Sequence, residues 1–216
     1  TALFVCPADA PGVERRREPV MDPTRTLTTV TFDGVEARRV AMRPEALCLL
    51  NAVAWAVASA EAVGAARAVL EHTVAYTGER KQFGRVIGGF QALKHRMADM
   101  YVRAETARSL SYAAAATVAR ALELAGPSAE ATGASAEDSA FRKAARAAEI
   151  DAAAAKVSAT SAFQWIAGES IQLHGGVGIT WEYDAHLFFK RAHGLATLFG
   201  QPHELAEALE PAAGLA

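Results

Sequence analysis

Two short segments of the chain gather residues able to do chemistry. Residues 79–91, ERKQFGRVIGGFQ, place Arg80, Lys81 and Arg85 beside Gln82 and Gln91. Guanidinium groups present planar forks of N–H donors that match phosphate oxygens, so this segment could hold a phosphate. A solvated link between two helices would read the same way. Residues 172–183, QLHGGVGITWEY, place Gly175, Gly176 and Gly178 within four positions. Glycines let a backbone approach something flat or charged. A helix stop followed by a turn accounts for one or two of them and leaves the third idle.

Other chemistries find little support. The histidines are His72, His95, His174, His186, His193 and His203, and none follows a Glu by three residues, so a paired Glu-x-x-His di-iron site is absent. There is no G-x-S-x-G nucleophile elbow and no phosphate-binding P-loop, and Gly84, Gly88 and Gly89 do not make G-x-G-x-x-G. Cys6 and Cys48 are too few for a disulfide framework, which favours a reducing, cytoplasmic setting. The net charge of −2 argues against nucleic acid as a partner. No uninterrupted apolar run reaches the roughly 18 residues that would suggest a membrane span.

The elements that must carry these segments are mostly helical. Before residue 40, Pro7, Pro11, Pro19 and Pro23 break any helix. Residues 2–6 and 27–32 read as two short strands joined by a Pro-rich loop, with Asp33 and Gly34 as a turn. The opening run has nothing before it, as expected of a chain that starts inside a domain. From Pro44 to about residue 78, Leu50, Val53, Val57, Ala60, Gly64 and Ala68 recur at helical spacing and predict one buried stripe. A second helix, from about 90 to 124, has its stripe at Phe90, Leu93, Met97, Tyr101 and Ala104. Residues 125–138 read as a Gly/Ser/Ala loop. A third helix runs from about 139 to 173, and a shorter one from about 182 to 198, stopped by Gly200. Pro202 opens a last short helix through Leu209. Three long Ala-rich helices, each about 50 Å at 1.5 Å per residue, predict a mainly α fold: an antiparallel four-helix bundle over 41–216, preceded by a β fragment over 1–40.

With both segments in hand, the sequence resembles the acyl-CoA dehydrogenase family. Residues 79–100, ERKQFGRVIGGFQALKHRMADM, resemble that family's R-x-x-F-G-x-x-I-x-x-x-Q signature. Residues 172–186, QLHGGVGITWEYDAH, resemble its later Q-x-x-G-G-x-G-x-x-x-E signature. Residues 1–40 resemble the end of the family's middle β-domain, so the chain would be the last part of that domain plus the C-terminal bundle.

The resemblance implies FAD as cofactor, with Arg80, Gln82, Phe83, Phe90 and Gln91 along its path. Gln172, Gly175 and Gly176 would receive the adenosine-diphosphate portion. It implies a site shared between subunits of a homo- or hetero-oligomer, an acyl-CoA substrate from fatty acid or sterol side-chain β-oxidation, and an electron-transferring flavoprotein as acceptor. The implied reaction is α,β-dehydrogenation, in which a carboxylate takes the α-proton and the flavin takes the β-hydride.

The pattern departs from the family at the base. The two positions where members carry that Glu correspond to Phe199 and Ala54, and neither side chain can accept a proton. Three readings stay open at this point. One is a catalytically silent subunit that completes the FAD site of an active partner. Another is an enzyme with a relocated base, with Glu61, Glu182 and Glu204 as candidates. The third is a member turned to other chemistry, and a flavin-free helical scaffold stands as the alternative from another class.

Overall fold

The computed structural model describes residues 2–125 and 136–209. Four short strands come first. β1 (Leu3–Val5) pairs antiparallel with β4 (Arg38–Val40), and β2 (Val13–Glu18) with β3 (Leu27–Phe32) in the register Val13 to Phe32. The sequence reading had two strands, so β2 and β4 are corrections. β2 reads VERRRE and buries neither face within this chain, so it lacks the alternation that marks a strand. At the open end of this pair the chain passes close to Asp33 through Gly12, which sits at φ +87° and whose Cβ, if present, would lie 2.0 Å from the Asp33 carbonyl oxygen.

Five helices follow: α1 (Pro44–Glu79), α2 (Gln91–Ala125), α3 (Ala136–His174), α4 (Ala185–Thr197) and α5 (Pro202–Leu209). α1 starts without a side-chain cap, with Pro44 in its first turn. Arg43 instead pairs with Asp138 at 3.1 Å and lies 4.1 Å over the Phe141 ring, and Glu45 accepts from Arg142 at 2.8 Å. These contacts join the starts of α1 and α3, which therefore run in the same direction. Arg96 on α2 meets Glu169 near the end of α3, so α2 runs against both. Lys156 on α3 reaches the end of α4, so α4 is also reversed. The antiparallel four-helix bundle is thus present, with α4 the short member. The loop predicted over 125–138 falls mostly outside the described residues.

The buried line of α1 is not the predicted one. Ala52, Trp55, Ser59, Ala62, Ala66, Val69 and Thr73 face inward at alternating spacings of three and four. Met100, Ala104, Ala107, Ser111, Ala114, Val118 and Ala121 do the same on α2, and Ser59 and Ser111 hydroxyls meet at 3.0 Å between them. Spacing that averages 3.5 residues keeps one seam facing a partner helix, and small side chains bring the backbones close. Of the predicted stripe, Leu50 is 52% exposed and Val57 64%. Tyr101 on α2 also faces outward. α1 is apolar almost all round, so periodicity alone could not choose its inner face. For the same reason α1 is long and apolar enough, by length and composition, to cross a membrane, despite the interruptions at Asn51, Ser59 and Glu61. In this fold its inner face packs against α2 and α3.

Candidate functional site

The first segment is built where α1 stops. The Arg80 backbone N–H donates to the Tyr76 carbonyl at 2.9 Å, and its own carbonyl accepts from Ile87 N–H at 2.8 Å. Between those bonds the chain forms a minimal hairpin, β5 (Lys81–Gln82) against β6 (Arg85–Val86). The turn residues Phe83 and Gly84 lie at φ 52° and 80°. Two consecutive positive φ values match the twist of a two-residue hairpin, but an aromatic residue there is strained. Phe83 stands at the tip with 90% of its surface exposed. It meets Phe90 edge-on at 6.2 Å, and the Arg85 guanidinium lies 4.0 Å above the Phe90 ring. Gln82 donates to the Lys81 carbonyl at 2.8 Å. Gln91 is exposed at the first position of α2. The Arg80 guanidinium is exposed and has no partner among the described residues. Of the other two glycines in this link, Gly88 is used in packing, because a Cβ there would lie 2.9 Å from the Thr77 carbonyl oxygen, whereas one on Gly89 would have ordinary room.

The second segment is built where α3 stops. Gln172 is exposed on its last turn, and Gly175 at φ 66° ends the helix. A 3-10 turn, Gly175–Ile179, follows. A Cβ on Gly178 would press to 2.9 Å from the Ile171 carbonyl oxygen and 3.0 Å from His174 Cβ, so this glycine serves packing. Gly176 has neither a positive φ nor any atom within 4 Å of where its Cβ would be. It is exposed, and nothing in this chain requires glycine there.

The ends of α1 and α3 are tied together, so both segments share one end of the bundle. Thr73 donates to Ser170 at 2.8 Å. The Tyr76 ring stacks on His174 at 4.2 Å, and its hydroxyl donates to the His174 carbonyl at 3.2 Å. Tyr183 closes on the pair edge-on. A cavity of about 330 Å³ opens there, lined by His72, Tyr76, Glu79, His174, Tyr183 and Phe188 among others. His174 Nδ1 sits 2.7 Å from the Ser170 carbonyl, which assigns the proton to Nδ1 in the neutral ring. Burial holds the His174 pKa below its ordinary value, with that hydrogen bond partly opposing and His72 adding to the shift. Arg80, Gln82, Phe83, Phe90 and Gln91 therefore form one cluster on the hairpin and its exit. Gln172, Gly175 and Gly176 form another, and Tyr76 with His174 joins the two.

A residue next to one of the two positions expected to hold a base contacts the backbone of the other. Trp55 follows Ala54 on α1, and its Nε1–H donates to the Phe199 carbonyl at 2.8 Å. Phe199 lies at φ 60°, with Phe83 the second non-glycine residue in the left-handed region among the described residues, and is 55% exposed. The candidate carboxylates sit elsewhere. Glu61 accepts from Arg25 at 3.0 and 2.7 Å and from Arg191 at 2.7 Å. Glu204 accepts from the Gln201 backbone N–H at 2.9 Å as a helix cap. Glu182 is exposed at the cavity rim. No group of three His, Cys, Asp or Glu able to hold a metal occurs among the described residues. Sequence reasoning missed Trp55, Tyr76, Lys156 and the Arg25–Glu61–Arg191 tie. A lone lysine inside the run AAAAKVSAT was the one available signal among these.

Comparison with known proteins gives consistent results. The family described as "Acyl-CoA dehydrogenase, C-terminal domain" matches residues 49–202. Acyl-CoA dehydrogenase IpdE2 of Mycobacterium tuberculosis is 42% identical over 193 residues, covering 88% of this chain and 49% of that protein. Among solved structures, the Tcur3481-Tcur3483 steroid ACAD superposes with TM-score 0.78 at 26% identity, covering 99% of this chain and 52% of that one. Butyryl-CoA dehydrogenase from Megasphaera elsdenii shares the fold with TM-score 0.79 at 22% identity, covering 98% of this chain and 51% of that one. The chain thus spans about half the length of the relatives it matches.

Proposed function

The chain belongs to the acyl-CoA dehydrogenase family, and from that membership we propose that it completes a FAD site within a heteromeric acyl-CoA dehydrogenase without supplying the catalytic base. The observation that carries this reading is the pairing of Phe199 with the Ala54–Trp55 step of α1. Neither position where the family is expected to carry its glutamate has a carboxylate, and Trp55, next to one of them, donates to the backbone of the other. A base moved to Glu61 or Glu204 is disfavoured, because each carboxylate already serves as a structural tie or cap.

The residues fit a bound dinucleotide. Arg80 offers a free guanidinium for a pyrophosphate oxygen. Gly175 and Gly176 leave the backbone open to close approach, and Phe83 with Phe90 offers an aromatic edge. Gln82, Gln91 and Gln172 would direct amide groups toward the same ligand. FAD, when bound, supplies the hydride acceptor of the dehydrogenation. This chain would anchor and orient it, and the carboxylate that takes the α-proton would come from the partner subunit. In this reading residues 1–40 are the end of a middle β-domain and 41–216 the C-terminal bundle. The substrate is an acyl-CoA thioester. The likeness to a steroid ACAD favours a sterol-derived acyl group, and an electron-transferring flavoprotein would reoxidise the flavin.

The test is co-purification from the native host, followed by flavin absorbance near 450 nm and turnover with an artificial electron acceptor across acyl-CoA lengths. Flavin and turnover are expected only when a second acyl-CoA dehydrogenase subunit travels with this chain. Brisk turnover by the chain alone would overturn the proposal.

A further inference from the structure

The turn after α4 is fixed more firmly than a connecting loop requires. Carbonyls at a helix end lack intrahelical partners and must find others. Here the partners come from two other helices. Lys156 on α3 is fully buried, and its Nζ donates to the Ala196 carbonyl at 3.1 Å and the Gly200 carbonyl at 2.5 Å. Trp55 on α1 donates to the Phe199 carbonyl between them. The Leu198 N–H donates to the Leu195 carbonyl at 3.2 Å, and the Gln201 N–H donates to Glu204 at 2.9 Å. Each of residues 198–201 is thus held by its own hydrogen bond. Within them, Phe199 and Gly200 both adopt positive φ, at 60° and 106°.

A bulky aromatic residue in the left-handed region is strained, and such a conformation persists only where its surroundings over-determine it. A buried lysine is also costly, since its ammonium has left water. Glu204 is the charged group that acts on it, and only from a distance, so the carbonyl acceptors must compensate. Two costly features meet at one turn and stabilise each other.

We propose that Trp55 and Lys156 are positioning residues that clamp residues 198–201 from two sides and seat Phe199 in its left-handed conformation before any ligand binds. The clamp grips the turn only through its backbone carbonyls, so the seat is independent of the side chain that residue 199 presents. Position 199 then determines by side-chain type alone what the site receives: an apolar ring here, a carboxylate if one were placed there. The purpose of the seat rests on the function proposed above, whereas its geometry does not.

The test reads the full chain without flavin or substrate, so failure of the functional reading leaves it interpretable. The three indoles, Trp55, Trp165 and Trp181, give separate N–H resonances in a 15N-labelled sample. Lys156→Met should shift the Trp55 indole resonance and speed its hydrogen exchange at least about tenfold. Trp165 and Trp181 should stay in place. Phe199→Glu should leave the Trp55 resonance protected as in the parent chain. A Trp55 resonance indifferent to Lys156→Met, or three indoles moving together in a folded variant, would overturn the clamp. Should Lys156→Met not fold, Trp55→Phe keeps an aromatic ring in place and removes the donor. Faster exchange at the Gln201 and Leu205 amides is then expected, and unchanged exchange there overturns the proposal equally.

Discussion

Trp55 donates its indole N–H to the carbonyl of Phe199 across 144 positions of sequence. One hydrogen bond therefore ties α1, one residue past Ala54, to the turn after α4 that holds Phe199. On the function proposed above, these are the two positions at which a carboxylate could act as base. Phe199→Glu, and separately Ala54→Glu, should therefore raise dehydrogenation in the flavin-loaded hetero-oligomer above that of the parent assembly. Acyl-CoA turnover with an artificial acceptor measures this, and no gain from either variant would argue against a base site at these positions.

The Arg80 guanidinium has no hydrogen-bond or ion-pair partner among the described residues, so its removal should spare the fold. Arg80→Ala should leave the urea midpoint unchanged and weaken flavin binding by about ten- to a hundred-fold, the range for losing a charge-assisted hydrogen bond. Flavin fluorescence titration of the assembled protein provides the readout.

The two glycines Gly176 and Gly178 should separate binding from stability. Gly178→Ala forces a Cβ to within 2.9 Å of the Ile171 carbonyl oxygen and should cost about 1–3 kcal/mol in thermal or urea unfolding. Gly176→Ala meets open space and should unfold like the parent, yet bind flavin less tightly. Equal stability losses in both would remove Gly176 from the proposed cradle.

Glu61 joins the loop at Arg25 to Arg191 on α4, with all three groups partly buried. Glu61→Gln leaves two guanidinium groups facing each other without their shared anion. A loss of about 2–3 kcal/mol in urea unfolding is expected. A silent substitution would mean that the tie carries little stability.

His174 links stability to pH. Its folded pKa lies below the ordinary value because burial disfavours the charged ring. The unfolded chain then binds the proton first, so stability is full above about pH 6.5 and falls as pH drops from there through the lower folded pKa. His174→Phe keeps the stack on Tyr76 and removes this titration. Urea unfolding at pH 7.5 and 5 should show a smaller acid loss in the variant than in the parent chain.

The sequence alone was enough to establish the helices, because Ala-rich runs bounded by Pro44, Gly175 and Gly200 allow little else. It also marked both chemical segments, since cations, glutamines and glycines at fixed offsets are local facts. It could not choose the inner face of α1, where apolar residues surround the helix and only packing against α2 and α3 selects Ala52, Ser59, Ala62 and Ala66. Nor could it tell that Gly88 and Gly178 fill tight packing sites while Gly176 stands open, because that depends on which backbone lies nearby. β2 was hidden because VERRRE has no apolar alternation, and only its pairing with β3 makes it a strand. The meeting of Trp55, Lys156 and Phe199 draws on three helices at once, and hydrogen bonds between distant positions leave no periodic trace in the chain.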